Sequence, residues 1–179
     1  MAGRVHAWRQ VGEDRVLHDG HLRVVGRTFE MPDGRTAEWE LLGPIESVGV
    51  LALTDDGSVV AVHEYRPGPG RVVLNLPSGM VDPGESPADA AARELTEETG
   101  WVAGGVEVVA SFAAMAHGLW TKHAVVARGC TPTGEQALDE LEHIEPVLLS
   151  VDDLRRAARA GEMVGTDLVY LALDHAGLL

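Results

Sequence analysis

Three glutamates, Glu94, Glu97 and Glu98, fall at spacings of three and four residues, so a helix would project them from one face. Like charges that close oppose the helix that presents them. Two readings account for such a cluster. One is a solvated acidic surface. The other is a site for a hard divalent cation, which prefers carboxylate oxygens. Arg93 stands beside them, and Glu85, on a glycine-bearing loop just upstream, adds a further carboxylate. The chemistry such a group suits on the second reading is holding that cation through its carboxylate oxygens.

The elements that must hold these groups can be read from local signals. Ser86 is a good N-cap, Pro87 fits the first helical position, and Gly100 fits the residue past the end. Ala88, Ala91, Ala92 and Leu95 give this helix a small apolar face. Ile45 to Leu53 and Ser58 to Val62 read as a hairpin turning at Asp55-Asp56-Gly57. Val72 to Leu76 reads as a strand, and Pro77 to Gly84 as a loop. Val106 to Ala114, His123 to Ala127 and Val147 to Val151 read as further strands. Helices are predicted over Asp152 to Ala160 and Asp167 to His175. Residues 14–42 read as strand and turn, with Met31-Pro32-Asp33-Gly34 a strong turn. Strands interleaved with two or three helices indicate an α/β or α+β layered domain.

Composition narrows the classes. The chain has 179 residues, 45% of them hydrophobic and 23% charged, as in a soluble globular domain. Acidic residues outnumber basic ones 28 to 14, for a formal charge of −14. That speaks against a nucleic-acid surface, which needs clustered Lys and Arg. An acidic protein acting on an anion needs something else to attract it, and a bound cation supplies that. The one cysteine, Cys130, permits no intramolecular disulfide and no cysteine zinc cluster. It reads as an ordinary small residue, and a reducing cytoplasm is the expected compartment. Met1 to His6 lack the apolar run of a signal peptide, and no run approaches the ~18 residues of a membrane span.

The string from Gly79 to Trp101 reads Gly, five residues, Glu, seven residues, Arg-Glu-Leu-Thr-Glu-Glu-Thr-Gly-Trp. This resembles the Nudix box of the Nudix hydrolases at every fixed position. Only the last, usually aliphatic, differs, being Trp101. The resemblance implies an enzyme that cleaves a nucleoside diphosphate linked to another moiety, with Mg²⁺ or Mn²⁺. It implies Glu94 and Glu98 as principal metal ligands and Glu97 as an additional or water-mediated one. Glu85 belongs to the same cluster, and a backbone carbonyl of Ser78 or Gly79 is expected to join. Arg93 would orient the glutamates through ion pairs.

The likeness extends beyond the box. His63-Glu64-Tyr65-Arg66-Pro67 is similar to the Gln-Tyr-Arg-Pro stretch of ADP-ribose and ADP-sugar pyrophosphatases, and Leu76-Pro77-Ser78-Gly79 to their Leu-Pro-Ala-Gly. The stretch Met31 to Glu40 resembles their N-terminal β-region. By that resemblance Arg66 would contact the pyrophosphate, a task suited to a guanidinium fork. Trp39 would stack on the nucleobase, its alternative being core or interface packing. Two departures leave the substrate open. The loop after the next strand is Ala114 to Lys122, without the family's proline and acidic end. There Trp120 and Lys122 could contact a different sugar or base and His117 a phosphate, or each could be structural. Asn75 stands where the family often has Glu, removing one possible acidic or hydrogen-bonding group. The general base is expected in the loop before the last strand, at Glu142, with Glu140 as second choice.

These readings predict the Nudix α/β/α sandwich with a mixed sheet. Residues 1–43 are the expected β-extension for dimerisation and substrate contacts, and 44–179 the catalytic domain. The expected activity is metal-dependent cleavage of an NDP-sugar, ADP-ribose above all, by a homodimer without nucleic-acid or membrane partners. A house-cleaning triphosphatase is the rival within the class. A nucleotide-sugar sensor is the rival outside it, although such domains typically lose box glutamates.

Overall fold

The structure, a computed structural model, describes residues 5–179, so the reading of Met1 to His6 falls largely outside it. In chain order the strands begin with β1 (Arg9–Gln10), β2 (Arg15–Asp19), β3 (Arg23–Glu30), β4 (Thr36–Leu53), β5 (Val59–Arg66), β6 (Arg71–Asn75) and β7 (Ser78–Met80). Helix α1 (Pro87–Thr99) follows. Strands β8 (Trp101–Val102), β9 (Gly105–Ala113), β10 (Gly118–Arg128), β11 (Thr131–Pro132) and β12 (Ile144–Leu149) come next, then α2 (Val151–Ala160) and α3 (Thr166–His175). The chain divides into two compact units, residues up to 45 with 113–121, and residues 46–112 with 122–179.

The first unit is antiparallel. β3 pairs with β4 from Val24↔Leu42 to Glu30↔Thr36, with β2 on its other side and β1 against its end. The predicted turn closes the β3–β4 hairpin, with Gly34 at φ 83° and its N–H donating to the Met31 carbonyl. Ion pairs Arg27–Asp14 and Arg15–Glu38 cross the strands. The Leu42 N–H donates to the His117 carbonyl. At Gly43, φ is 107°, and a Cβ would run into the Leu119 carbonyl, so only glycine fits.

The second unit is built on the pleat of β4, β5 and β10. Alternate residues of β4 serve opposite cores. Leu51 and Leu53 join Val59, Leu76, Val126, Leu154, Val169 and Leu173 under α2 and α3. Val48, Val50 and Ala52 join Val60, Ala90, Ala91, Leu95, Val125 and Cys130 under α1. That is helix, sheet, helix: the predicted α/β/α sandwich. β5 pairs with β4, β6 and β12, each antiparallel. Among the described residues no helix is long and apolar enough to cross a membrane.

Several boundaries differ from expectation. Ser78 to Met80, read as loop, is a strand paired with Ser47 to Gly49. The last strand ends at Leu149 because Ser150 caps α2, accepting from the Asp153 N–H. The 114–122 loop is short, since β10 already begins at Gly118. On α1 the face turned to the core is Ala90, Ala91 and Leu95, not Ala88 and Ala92. Trp101, the aliphatic position of the box, packs against the core under α1, so an aromatic fills the same apolar role. Burial raises the Cys130 thiol to about 11, as befits an inert core residue.

Candidate active site

Helix α1 starts and stops where its caps require. Ser86 Oγ accepts from the Asp89 N–H, and Gly100, at φ 69°, closes the last turn. Between these caps the acidic face is fixed. Glu94 and Glu98, one turn apart, are buried, at 9% and 3% exposure, while Glu97 is partly exposed. Strand β7 runs against them. The Ser78 N–H donates to Glu98 Oε2 at 3.0 Å. The Glu94 carboxylate lies over Gly79, where any Cβ would collide with it. This close approach is why the box glycine stands there.

Arg93 commits its whole guanidinium. Nε and one terminal nitrogen donate to the two oxygens of Glu85 at 3.0 Å each, and that nitrogen also reaches the Met80 carbonyl at 3.0 Å. The other donates to Glu94 at 2.8 Å and Glu97 at 3.0 Å. The five N–H donors of an arginine are thereby all used. The fork holds Glu85 well below the usual carboxylate range, and the carboxylates raise the Arg93 guanidinium in turn.

Glu98 has no such partner. Burial pushes its carboxyl up to about 9 against the Ser78 N–H, and the charges of Glu64, Glu94 and Glu142 add to the rise. Burial also raises Glu94, opposed by Arg93 and reinforced by Glu97 and Glu142. Glu142 comes from the acidic loop before β12, where its carboxylate accepts from the Asp139 N–H at 2.9 Å. That loop is strapped to the C-terminal carbonyls of α1. Thr133 donates through N and Oγ1 to Gly100, Ala137 N to Glu97, and Gln136 Nε2 to Glu98 and to Ile144 at the start of β12. Helix ends leave such carbonyls without partners, and the loop uses them as its anchor.

Sequence reasoning passed over Glu64 and misjudged Asn75. Both are buried, at 7% and 6% exposure, and Asn75 Nδ2 donates to Glu64 Oε1 at 2.8 Å. Asn75 is a hydrogen-bonding group of the site, not a lost one. Arg66, at the end of β5, lies with Nε 2.9 Å from the same Glu64 oxygen. The sequence offered each only as a separate departure, Glu64 in place of Gln and Asn75 in place of Glu, and their contact arises from the pairing of β5 with β6.

The remaining candidates are placed as follows. Lys122 is paired with both oxygens of Asp167 at 3.2 and 3.0 Å, at the first turn of α3. Trp120 lies half-buried in β10, its carbonyl accepting from the Ala114 N–H. Trp39, in the first unit, stacks on His117 with centroids 5.2 Å apart and meets Trp8 edge-on at 5.8 Å. Two surface hollows of the second unit run along α2 and are lined by none of the α1 carboxylates.

Among the described residues no three His, Cys, Asp or Glu side chains form a ready-made cation cage. The reason is visible: Arg93 draws Glu85, Glu94 and Glu97 to itself. The donor chemistry nonetheless fits a hard divalent ion, because Glu94, Glu98 and Glu142 are carboxylates close enough for the charge of each of the other two to raise Glu98.

A family profile described as the NUDIX domain matches residues 43–166. The chain belongs to the Nudix family. A relative in Bacillus methanolicus, named methanol dehydrogenase activator, is 33% identical over 97% of each chain. The ADP-ribose pyrophosphatase of Bacillus subtilis is 28% identical over 90% of this chain and 89% of its own length. A crystal structure of an ADP compounds hydrolase superposes with a TM-score of 0.74, covering 99% of this chain and 100% of that one, at 23% identity. That likeness establishes the fold. Nudix hydrolases generally use divalent metals, and this chain retains the box glutamates of the family.

Proposed function

We propose that this Nudix hydrolase cleaves the diphosphate of a nucleoside diphosphate sugar, ADP-ribose foremost, to a nucleoside monophosphate and a sugar phosphate. The observation that carries the reading is the buried Glu98, raised by the charges of Glu64, Glu94 and Glu142 and in no ion pair with any of the described residues. A protein of net charge −14 gains a foothold for an anionic diphosphate if that cluster takes up Mg²⁺ or Mn²⁺. Glu94 and Glu98 would hold the ion, with Glu97, Glu85 and the Ser78 or Gly79 carbonyl as further candidate donors. A divalent ion there offsets phosphate charge and makes water a better nucleophile. Arg66 orients the diphosphate. Glu142, tethered to α1, takes the proton of the attacking water. Arg93 fixes the carboxylates and touches no substrate.

In the first unit, Trp39 is read as the base-stacking residue, with His117 already showing that its face accepts a flat ring. The partly exposed Trp8, Val16 and Leu22 of that unit are the surface on which a homodimer is expected. Trp120 stays a candidate sugar contact. The ion pair of Lys122 with Asp167 favours a structural role for it.

The test is a substrate panel with Mg²⁺, wild type beside Glu98→Gln. It holds ADP-ribose, other ADP-, GDP- and UDP-sugars, dinucleoside polyphosphates and triphosphates, with products resolved by mass. Cleavage of an NDP-sugar that Glu98→Gln abolishes is expected. Turnover of triphosphates alone would overturn the substrate class, and tight binding without turnover would point to a sensor.

A further inference from the structure

We propose that Glu64 and Asn75 form a buried carboxylate–amide couple that aims Arg66 at the diphosphate, with Glu64 as the positioning residue. The inference rests on the reading of Arg66 as a diphosphate contact and adds what holds it there. A carboxylate as buried as Glu64 is costly unless it is paired. Its Oε1 has two partners, the Asn75 amide at 2.8 Å and Arg66 Nε at 2.9 Å. The Arg66 contact lies off the N–H direction, so it is a charge contact and not a hydrogen bond. The guanidinium is therefore tethered by its inner end, and its outer nitrogens stay available as a fork for two oxygens.

Arg93 is the contrast within the same unit. It spends all five donors on the protein, while the Arg66 side chain donates no hydrogen bond to any of the described residues and remains 39% exposed. Asn75 also bridges to Ser78 Oγ at 3.4 Å, and the Ser78 N–H binds Glu98. The couple thus ties the diphosphate arginine to the buried end of the acidic face through one chain of contacts.

The geometry also explains two sequence departures at once. In the stretches this chain resembles, Gln stands at position 64 and Glu commonly at 75. Here the carboxylate is on β5 and the amide on β6. Either change alone would face two carboxylates or two amides across one contact, and both together restore one of each.

The experiment is a double-mutant cycle of Glu64→Gln and Asn75→Glu, with Arg66→Ala as reference. Thermal unfolding is measured without metal, the Kd of inorganic pyrophosphate is measured by calorimetry in EDTA, and KM and kcat are measured on ADP-ribose. Glu64→Gln is expected to weaken pyrophosphate about tenfold and to raise KM more than it lowers kcat. Asn75→Glu is expected to lower Tm, and the double variant to recover both. Unchanged or tighter pyrophosphate binding in Glu64→Gln overturns the proposal. So does a double variant no better than the worse single one. If wild type cleaves no NDP-sugar, the functional reading fails, while the pyrophosphate Kd and the Tm cycle still decide the couple.

Discussion

The two ends of the acidic face of α1 are chemically unlike. At one end Arg93 gathers Glu85, Glu94 and Glu97 into a single fork, and the Glu85 carboxyl is held low. At the other, Glu98 is buried beneath β7 with three further carboxylates near it and only a backbone N–H for company, and its carboxyl rises to about 9. The same residue type, a few positions apart, is structural at one end and strained at the other. The compensated end holds itself together. The uncompensated end favours the protonated carboxyl, and it is the end at which the proposed divalent ion would relieve the most charge.

Removing charge at each end should therefore have opposite effects on the metal-free protein. The largest effect is expected at the strained end. Glu98→Gln should lower kcat by about 10²–10³ while raising the Tm of the EDTA-treated protein, since an uncompensated charge has gone. A lower metal-free Tm would break the comparison. Next comes the compensated end. Arg93→Met should destabilise the fold by about 3 kcal/mol, because three carboxylates lose one shared partner. Urea unfolding measures this, and a change within 0.5 kcal/mol, the ordinary scatter of a surface substitution, would show that the fork is ornamental.

Much of this site was legible in sequence. Helix α1 was bounded by Ser86, Pro87 and Gly100 because caps are local, and the box spacing located every glutamate on it. The first residue of α2 was missed because its cap, Ser150, follows an unbroken apolar run. The division of labour among the glutamates was not legible. It depends on which of them β7 covers, and β7 itself, three residues long, has no pattern of its own and exists by pairing with β4. Glu64 and Asn75 were invisible as a couple because they meet only when β5 and β6 lie side by side.

A smaller effect tests how Glu142 is held near the strained end. Gln136 Nε2, within the loop that carries Glu142, bridges the Glu98 carbonyl of α1 and the Ile144 carbonyl at the start of β12. Gln136→Met keeps the length and loses both bonds. kcat should fall about tenfold, in the range for loss of a supporting contact, with KM little changed. Gln136→Asn, too short to span both carbonyls, should behave the same way. A fall in KM-dependent binding with kcat intact would place the loop in substrate capture instead.

The smallest effect is the pH dependence of metal-free stability, and its sign separates the two ends. The Glu98 carboxyl is raised in the fold from an ordinary 4.5 to about 9. A raised acid contributes stability that is fully present below its unfolded value and lost as pH climbs through the folded one. Glu85 is lowered, so its contribution is present above its ordinary value and lost only as pH falls below it. Between pH 5.5 and 8.5, roughly the span between the two Glu98 values, Glu85 is therefore level, while Glu98, joined by the likewise raised Glu94, slopes downward. The Tm of the EDTA-treated protein should drop across that window, by about 2–4 °C for each kcal/mol lost in a chain of this size. Millimolar Mg²⁺ should flatten the slope, because a cation replaces the proton, and Glu98→Gln should remove the larger part of it without metal, leaving the Glu94 share. A slope undiminished in Glu98→Gln belongs to other groups, and the strained end would then have to be sought elsewhere on the acidic face.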